Sequence, residues 1–127
     1  MLYGGEVMSE IKFRAWQKCH FGKIRKIENY CVLNENNRFI GHDLTNDVEG
    51  DIFCVEQFTG LCDKNWKEIY AGDILKVRIN DNFTNELDFV EDLDGCWQWR
   101  DYTVRAIYHE SEVIGNIHEN PELLEEK

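Results

Sequence analysis

Apolar and polar residues alternate in several short stretches of the chain, and this alternation predicts β-strands. In IKFRAWQ (residues 11–17), Ile11, Phe13 and Ala15 fall on one side, and basic residues alternate with them, as in a half-buried strand. The stretch DILKVRIN (residues 73–80) has the same period. Turn signals recur about every 8 to 12 residues, which favours a protein of many short strands.

Other stretches complete the predicted sheet. Residues 23–33 are expected to form a second strand, antiparallel to the first. Residues 51–58 are apolar on both faces near residues 52–55, so this third strand is expected to lie centrally. Two further strands are predicted, from the alternating apolar set at residues 102, 104, 106 and 108 and from residues 112–118.

Two local signals mark a hairpin and a helix. Asp94-Gly95 is a hairpin turn signal, because both residues tolerate the positive φ that a two-residue turn requires. Asn120, Pro121 and Glu122 together predict a short terminal helix that begins with an Asn cap. The predicted fold is therefore mainly β, α+β at most. Short antiparallel strands form a small barrel-like or sandwich unit, joined to an N-terminal hairpin lobe and a short C-terminal helix.

Length and composition limit the domain organisation. The 127 residues are 43% apolar and 13% aromatic, enough for one core. Residues 10–127 are expected to form a single domain, with an N-terminal lobe over about residues 10–50 and a C-terminal lobe over about residues 51–127. Residues 1–9 are expected to be a disordered leader with the physiological start at Met8, because Gly4-Gly5-Glu6 could be a translated ribosome-binding sequence.

The charge of the chain bears on the kind of partner. Lys and Arg total 14 against 25 Asp and Glu, a net charge of -11, and the excess of acids is greater in the second half. Direct binding to nucleic acid is disfavoured, because that affinity depends on Lys and Arg. A basic protein partner suits the charge, and so does mimicry of DNA. The chain shows no apolar run long enough to span a bilayer, and a cytoplasmic location is expected.

The five cysteines are scattered without a CxxC pair, which predicts reduced thiols buried as small apolar groups. A zinc site built from Cys19 and His20 with Cys31 or Cys54 is the alternative, but the spacing does not support it. The histidines are dispersed and suggest no hydrolytic triad. No metal and no cofactor are expected.

A crowded segment, QFTGLCDKNWKEIYAGDI (residues 57–74), raises the question of a site. Its acids and glycines have turn functions: Asp63 and Asn65 can accept hydrogen bonds from nearby amides, as in Asx-turns. The alternative is a carboxylate cluster of Asp63, Glu68 and Asp73 for metal binding or acid-base chemistry, which approaches a calcium loop only loosely. We interpret the segment as a device that shapes the backbone. The residues assigned to structural turns in the whole chain are Gly60, Gly72, Asp73, Asp94, Gly95, Asn120 and Pro121.

Three stretches together resemble the YopX family of small phage and prophage proteins of Gram-positive bacteria. They are EIKFRAW (residues 10–16), QFTGLCDKNWKEIYAGDIL (residues 57–75) and EVIGNIHENPELL (residues 112–124). The resemblance implies a phage or prophage origin and a β-rich fold, and it supplies no catalytic residues. The chain departs from the family pattern where Asn65 is followed by Trp66, since the family commonly has Gly there. Gly suits a left-handed turn and Trp does so poorly.

The residues proposed for binding lie in this departing loop: Asp63, Lys64, Asn65, Trp66 and Lys67. Trp66 is expected to be exposed because the residues around it are polar. Trp97 and Trp99, which share a strand face, are expected in the core together with Tyr102 and Tyr108. The sequence favours a non-enzymatic protein-binding module that also self-associates. The alternatives are an acidic DNA mimic that inhibits a host nucleic-acid enzyme, and a small ligand-binding or enzymatic barrel.

Overall fold

The computed structural model describes residues 11–18, 22–33, 39–41, 51–79 and 84–125. The chain divides into two compact units, Met1–Phe58 and Thr59–Lys127. The boundary between the units falls within one long strand, residues 51–62. Residues 51–58 of this strand belong to the first unit and residues 59–62 to the second. The expected leader at residues 1–9 lies outside the described residues.

The first unit is built on an antiparallel hairpin. Its strands are β1 (Ile11–Lys18), β2 (Ile24–Leu33), β3 (Phe39–Gly41) and the first part of β4 (Asp51–Cys62). Strand β1 pairs with β2 on one side and with β4 on the other, both antiparallel, so β1 is an interior strand. The predicted antiparallel pairing of the first two strands is confirmed. Strand β4 lies between β1 and β5 in the sheet order, as its predicted central position requires. The expectation that both of its faces are covered is wrong, because Phe53 and Val55 are 46% and 49% exposed.

Burial in the first unit differs from the prediction of a half-buried first strand. Ile11 is 43% exposed, whereas Lys12, Arg14 and Trp16 on the opposite side are buried. The cause is the neighbouring strand: Arg14 lies opposite Glu56 and Trp16 opposite Cys54, so this side of β1 meets an acid and a thiol. A basic side chain that gains a carboxylate partner can be buried, and the alternation alone does not reveal the partner.

The second unit contains the end of β4 and seven further strands. These are β5 (Glu68–Tyr70), β6 (Asp73–Ile79), β7 (Thr84–Phe89), β8 (Glu91–Leu93), β9 (Cys96–Trp99), β10 (Tyr102–Thr103) and β11 (Ser111–Asn116). Strand β5 is hydrogen-bonded to β4, and the others form two three-stranded sheets in the orders β11-β6-β7 and β10-β9-β8. The strand pairs within these two sheets are antiparallel, so the predicted mainly β fold of short antiparallel strands is confirmed.

The core of the second unit forms around Trp99. Its indole is fully buried, and its N–H donates to the carbonyl oxygens of Leu75 at 3.2 Å and Asp88 at 3.1 Å. Burying the ring removes apolar area from water, and these bonds satisfy its one polar group. The core cluster consists of Leu61, Ile69, Leu75, Val77, Val90, Trp99, Val104 and Ile107, with Trp97 packed against it. Trp99 lies in the core as predicted, and Trp97 and Tyr108 are partly buried against it. The prediction is wrong for Tyr102, which is 39% exposed.

The hairpin between β8 and β9 has the predicted turn. Asp94 and Gly95 have φ values of 56° and 86°, and Leu93 pairs with Cys96 across the turn. The carboxylate of Asp92 accepts a hydrogen bond from the Gly95 amide at 3.0 Å. Residues that tolerate a positive φ therefore occupy the two positions at which the turn requires one.

The strand predicted across residues 102–108 is wrong in its second part. Only Tyr102–Thr103 is strand, and Val104–Ile107 forms a single helical turn, α1. The two buried residues of this turn, Val104 and Ile107, are three positions apart and lie on one helical face, while Ala106 is exposed. Four residues are too few to distinguish the two-residue repeat of a strand from the 3.6-residue repeat of a helix. Packing of Val104 and Ile107 against the core favours the helix.

The predicted C-terminal helix is a 3₁₀ turn at Pro121–Leu124. Pro121 opens it as expected, but Asn120 makes no side-chain cap. The Asn120 side-chain oxygen instead accepts a hydrogen bond from the Asn116 amide at 3.2 Å. No helix in the described ranges is long and apolar enough to cross a membrane.

Candidate binding loop

The loop at residues 63–67 is closed by the side chain of its first residue. Asp63 is buried, and its Oδ1 accepts hydrogen bonds from the amides of Asn65 at 2.8 Å and Lys67 at 2.9 Å. Backbone bonds add to this: the Asp63 amide donates to the Lys67 carbonyl at 2.8 Å, and the Trp66 amide donates to the Asp63 carbonyl at 2.9 Å. The backbones of Asn65, Trp66 and Lys67 are thus all held by hydrogen bonds to Asp63.

The same carboxylate ties the loop to strand β11. Its second oxygen, Oδ2, accepts a hydrogen bond from the Val113 amide at 2.8 Å, and the Lys64 amide donates to the Ser111 carbonyl at 3.0 Å. Asp63 therefore accepts three bonds from backbone amides and leaves neither oxygen unoccupied. A buried carboxylate with this many donors acts as a structural anchor.

Trp66 stands out at the tip of this loop. Its side chain is 83% exposed, as predicted, and its backbone has a φ of 67°, in the left-handed region. A non-glycine residue there costs about 1 kcal/mol relative to its normal conformation. The loop has therefore kept the geometry that suits Gly and carries a large aromatic side chain in it. Its neighbours Lys64, Asn65 and Lys67 are also exposed.

The segment after the loop is fixed in the same way. The Asp73 carboxylate is buried and accepts a hydrogen bond from the Tyr70 amide at 2.8 Å. Gly72 has a φ of 88°. Its amide donates a hydrogen bond to the Val90 carbonyl at 2.8 Å, and its carbonyl accepts one from the Ile117 amide at 2.9 Å. Gly60 also has positive φ, at 91°. The bonds of Gly72 join the segment to the residues that directly follow β7 and β11, the two strands that flank β6.

The three acids considered as a carboxylate cluster have separate hydrogen-bond partners. Asp63 and Asp73 bind amides of different turns, and Glu68 accepts a hydrogen bond from the Tyr70 hydroxyl at 3.5 Å. Carboxylates used in this way hold the backbone, and their oxygens are not directed together at one position where an ion could bind.

The last signature segment is built around a close approach of two residues. A Cβ on Gly115 would lie 2.5 Å from the Asn120 side-chain oxygen, so this position accommodates only Gly without a shift. Asn116 is buried, and its side-chain oxygen accepts the amides of His118 at 2.9 Å and Glu119 at 2.8 Å. The residues of this segment therefore form a turn that ends the sheet.

A buried polar cluster in the first unit was missed by the sequence reasoning. Glu56 Oε1 accepts hydrogen bonds at 2.8 Å from both Arg14 Nε and Trp16 Nε1. The Cys54 thiol lies 3.9 Å from the other oxygen of Glu56. The partners are separated by 40 or more positions, so only the pairing of β1 with β4 reveals them.

Burial raises the pKa of the Cys54 thiol, and the charge of Glu56 adds to the effect while Arg14 opposes it. A thiol with a raised pKa stays protonated at neutral pH and is a poor nucleophile. Of the alternative zinc ligands, Cys19 and His20 lie outside the described residues, as does the side chain of Cys31. Cys54, Cys62 and Cys96 are free thiols, but Cys96 is exposed, so the prediction that the thiols are buried is wrong for this residue.

Comparison with known proteins places these features in a family. The YopX protein family model matches residues 12–125. The chain is also similar to a crystal structure of protein EF1440 from Enterococcus faecalis, with 26% sequence identity and a TM-score of 0.57, covering 91% of this chain and 98% of that chain. No curated protein matches the chain.

The matched range includes most of the first stretch that carried the resemblance and all of the other two, together with both turns that the buried Asp63 and Asn116 hold in place. The resemblance stated from the sequence is confirmed: this chain belongs to the YopX family.

Proposed function

We propose that this chain is a non-enzymatic accessory protein, encoded by a phage or prophage, that binds another protein through loop 63–67. The proposal depends on one observation, a tryptophan that is 83% exposed in a left-handed conformation on a loop held by a buried carboxylate. Strained residues persist where the surrounding structure enforces them, and they are frequent at functional sites. Tryptophan is also among the residues that most often dominate binding energies.

The rest of the loop supports binding rather than chemistry. The oxygens of Asp63 accept amide hydrogen bonds, so this acid has a structural task. The exposed side chains are one aromatic ring, one amide and two ammonium groups, which suit recognition of a surface. Because the backbone is fixed before binding, the loop loses little conformational entropy on contact. We place its action in the bacterial cytoplasm, where free thiols such as Cys62 and Cys96 are common.

The test compares proteins recovered by affinity purification from infected or lysogenic host cells. We expect Trp66→Gly to fold normally and to lose a specific partner that the unchanged chain recovers. The matched control is Val55→Ala, which trims another exposed apolar side chain, 49% exposed, and should keep the partner. Equal recovery by the unchanged chain and Trp66→Gly would contradict the proposal.

A DNA mimic that occupies a basic host enzyme is the second candidate, favoured by the net charge of -11. Such a mimic acts through carboxylates distributed over a surface. Its inhibition should therefore weaken steeply with added salt and should be unaffected by Trp66→Gly. The two candidates give opposite results for this single substitution.

A further inference from the structure

We propose that the partner of loop 63–67 is a second copy of this chain, and that the loop docks on the β8–β9 hairpin of that copy. This inference rests on the proposed function, which it extends by naming the partner. The contact joins two different surfaces, the loop of one copy and the hairpin of the other.

The loop has a local charge opposite to that of the chain as a whole. Its exposed residues at positions 64–67 include two lysines and no acid, on a chain with a net charge of -11. Trp66 lies between the two lysines in the sequence, and 83% of its surface is exposed. A surface complementary to this loop must offer apolar contact for an indole and carboxylates on either side of it.

The β8–β9 hairpin offers this combination. Glu91, Asp92 and Asp94 are exposed, and among them lies Leu93, which is 44% exposed. Strand β8 is at the edge of its sheet in the order β10-β9-β8. An exposed apolar side chain surrounded by acids matches an exposed indole surrounded by lysines in both polarity and charge.

Both surfaces are fixed before they meet. The loop is held by hydrogen bonds to the Asp63 carboxylate, and the hairpin turn is held by the bond of the Gly95 amide to Asp92 at 3.0 Å. Docking two fixed surfaces costs less ordering entropy than docking mobile ones. Burial of Trp66 is expected to supply most of the affinity, while the lysine and carboxylate pairs set the orientation, because exposed ion pairs contribute little.

Two acidic copies repel each other, so the ionic strength of the test must be high enough to screen this repulsion. At an ionic strength of about 0.15 M the Debye length is about 8 Å, so repulsion between distant charges is screened while contacts within a few ångströms persist. Sedimentation velocity over a concentration series at this ionic strength should show reversible self-association of the unchanged chain.

Variants of the loop test which surface is used. We expect Trp66→Gly to raise the dissociation constant about 30-fold or more, as removal of a central anchor does. Lys64→Glu with Lys67→Glu should abolish association. The matched control is Lys18→Glu with Lys23→Glu, which reverses two other exposed lysines, gives the same net charge and should associate like the unchanged chain.

Charge exchange tests the second surface. Glu91→Lys with Asp92→Lys should be monomeric alone, with circular dichroism to check that the hairpin variant is folded. Mixed with the Lys64→Glu, Lys67→Glu variant, it should form a one-to-one complex, because each loop then again meets a hairpin of opposite charge. A mixture that stays monomeric would overturn the assignment of the hairpin.

The outcomes separate this inference from the proposed function. A monomeric unchanged chain across the whole concentration range overturns self-association. If Trp66→Gly also loses a foreign protein in the purification from host cells, the loop is a binding site for that protein and only the self-association is wrong. If Trp66→Gly changes neither, both proposals are wrong.

Discussion

Two turns of this protein solve the same backbone problem with different residues. In the β8–β9 hairpin, the positive φ values fall on Asp94 and Gly95, which tolerate them. In loop 63–67, the positive φ falls on Trp66, which does not. Both turns use an aspartate that accepts amide hydrogen bonds, but Asp63 is buried and accepts three, whereas the exposed Asp92 accepts one from Gly95.

The difference shows where strain is tolerated. The hairpin needs no support beyond its own turn residues, because their intrinsic preferences agree with the backbone. Loop 63–67 keeps its conformation against the preference of Trp66, because the Asp63 carboxylate and strand β11 hold the surrounding amides. A side chain that opposes the local conformation and remains exposed is more simply explained by recognition than by folding.

The largest effect should come from removing the anchor of the loop. Asp63→Ala removes a buried carboxylate and leaves three partly buried amides without their acceptor, so we expect a loss of about 3 kcal/mol in the free energy of unfolding. Asp92→Ala in the hairpin is the matched control and should cost less than about 1 kcal/mol, because water can replace its exposed bond. Urea denaturation followed by fluorescence measures both. Similar losses for the two would remove the distinction between the turns.

A smaller loss is expected when the hairpin is given an unfavourable residue. A Cβ on Gly95 meets nothing within 4 Å, so Gly95→Ala introduces strain at a φ of 86° without a steric clash. We expect a destabilisation of about 1 kcal/mol, measured by the same urea titration. Gly115→Ala is the contrasting variant, since its Cβ would clash with Asn120, and it should cost more. A Gly95→Ala variant as stable as the unchanged chain would show that this turn adapts.

The smallest expected change in the free energy of unfolding is a stabilisation. Trp66→Gly removes the left-handed strain of about 1 kcal/mol and adds some entropy to the unfolded chain, so we expect a net stabilisation of about 0.5 kcal/mol. Asp94→Gly is the control and should give no gain, because Asp already tolerates this conformation. Thermal and urea unfolding measure the difference. A clear destabilisation by Trp66→Gly would mean that the indole supports the fold and is not exposed for recognition.

Local signals in the sequence predicted the parts of the fold that local chemistry determines. The Asp94-Gly95 hairpin, the alternation that buries Leu75 and Val77 and the exposure of Trp66 all follow from residues close together in the chain. These features depend on intrinsic conformational preferences and on hydrophobic periodicity, which a single sequence displays.

Features that depend on distant partners were not predictable. The burial of Arg14 requires Glu56, 42 positions away, and the second oxygen of Asp63 binds an amide 50 positions away. The helical turn at Val104–Ile107 depends on packing against the core, because a stretch of four residues is compatible with both the helical and the strand repeat. The family pattern indicated that position 66 is unusual, but only the structure shows that Trp66 adopts the glycine-like conformation.

The way loop 63–67 is closed has a consequence for engineering. Its hydrogen bonds use main-chain groups of residues 64–67 and the carboxylate of Asp63, and the four side chains at the tip take no part in them. These four consecutive positions should therefore accept a randomised library, with Gly preferred at the third, while the scaffold stays intact. The domain would then serve as a small scaffold for the display of new recognition sequences.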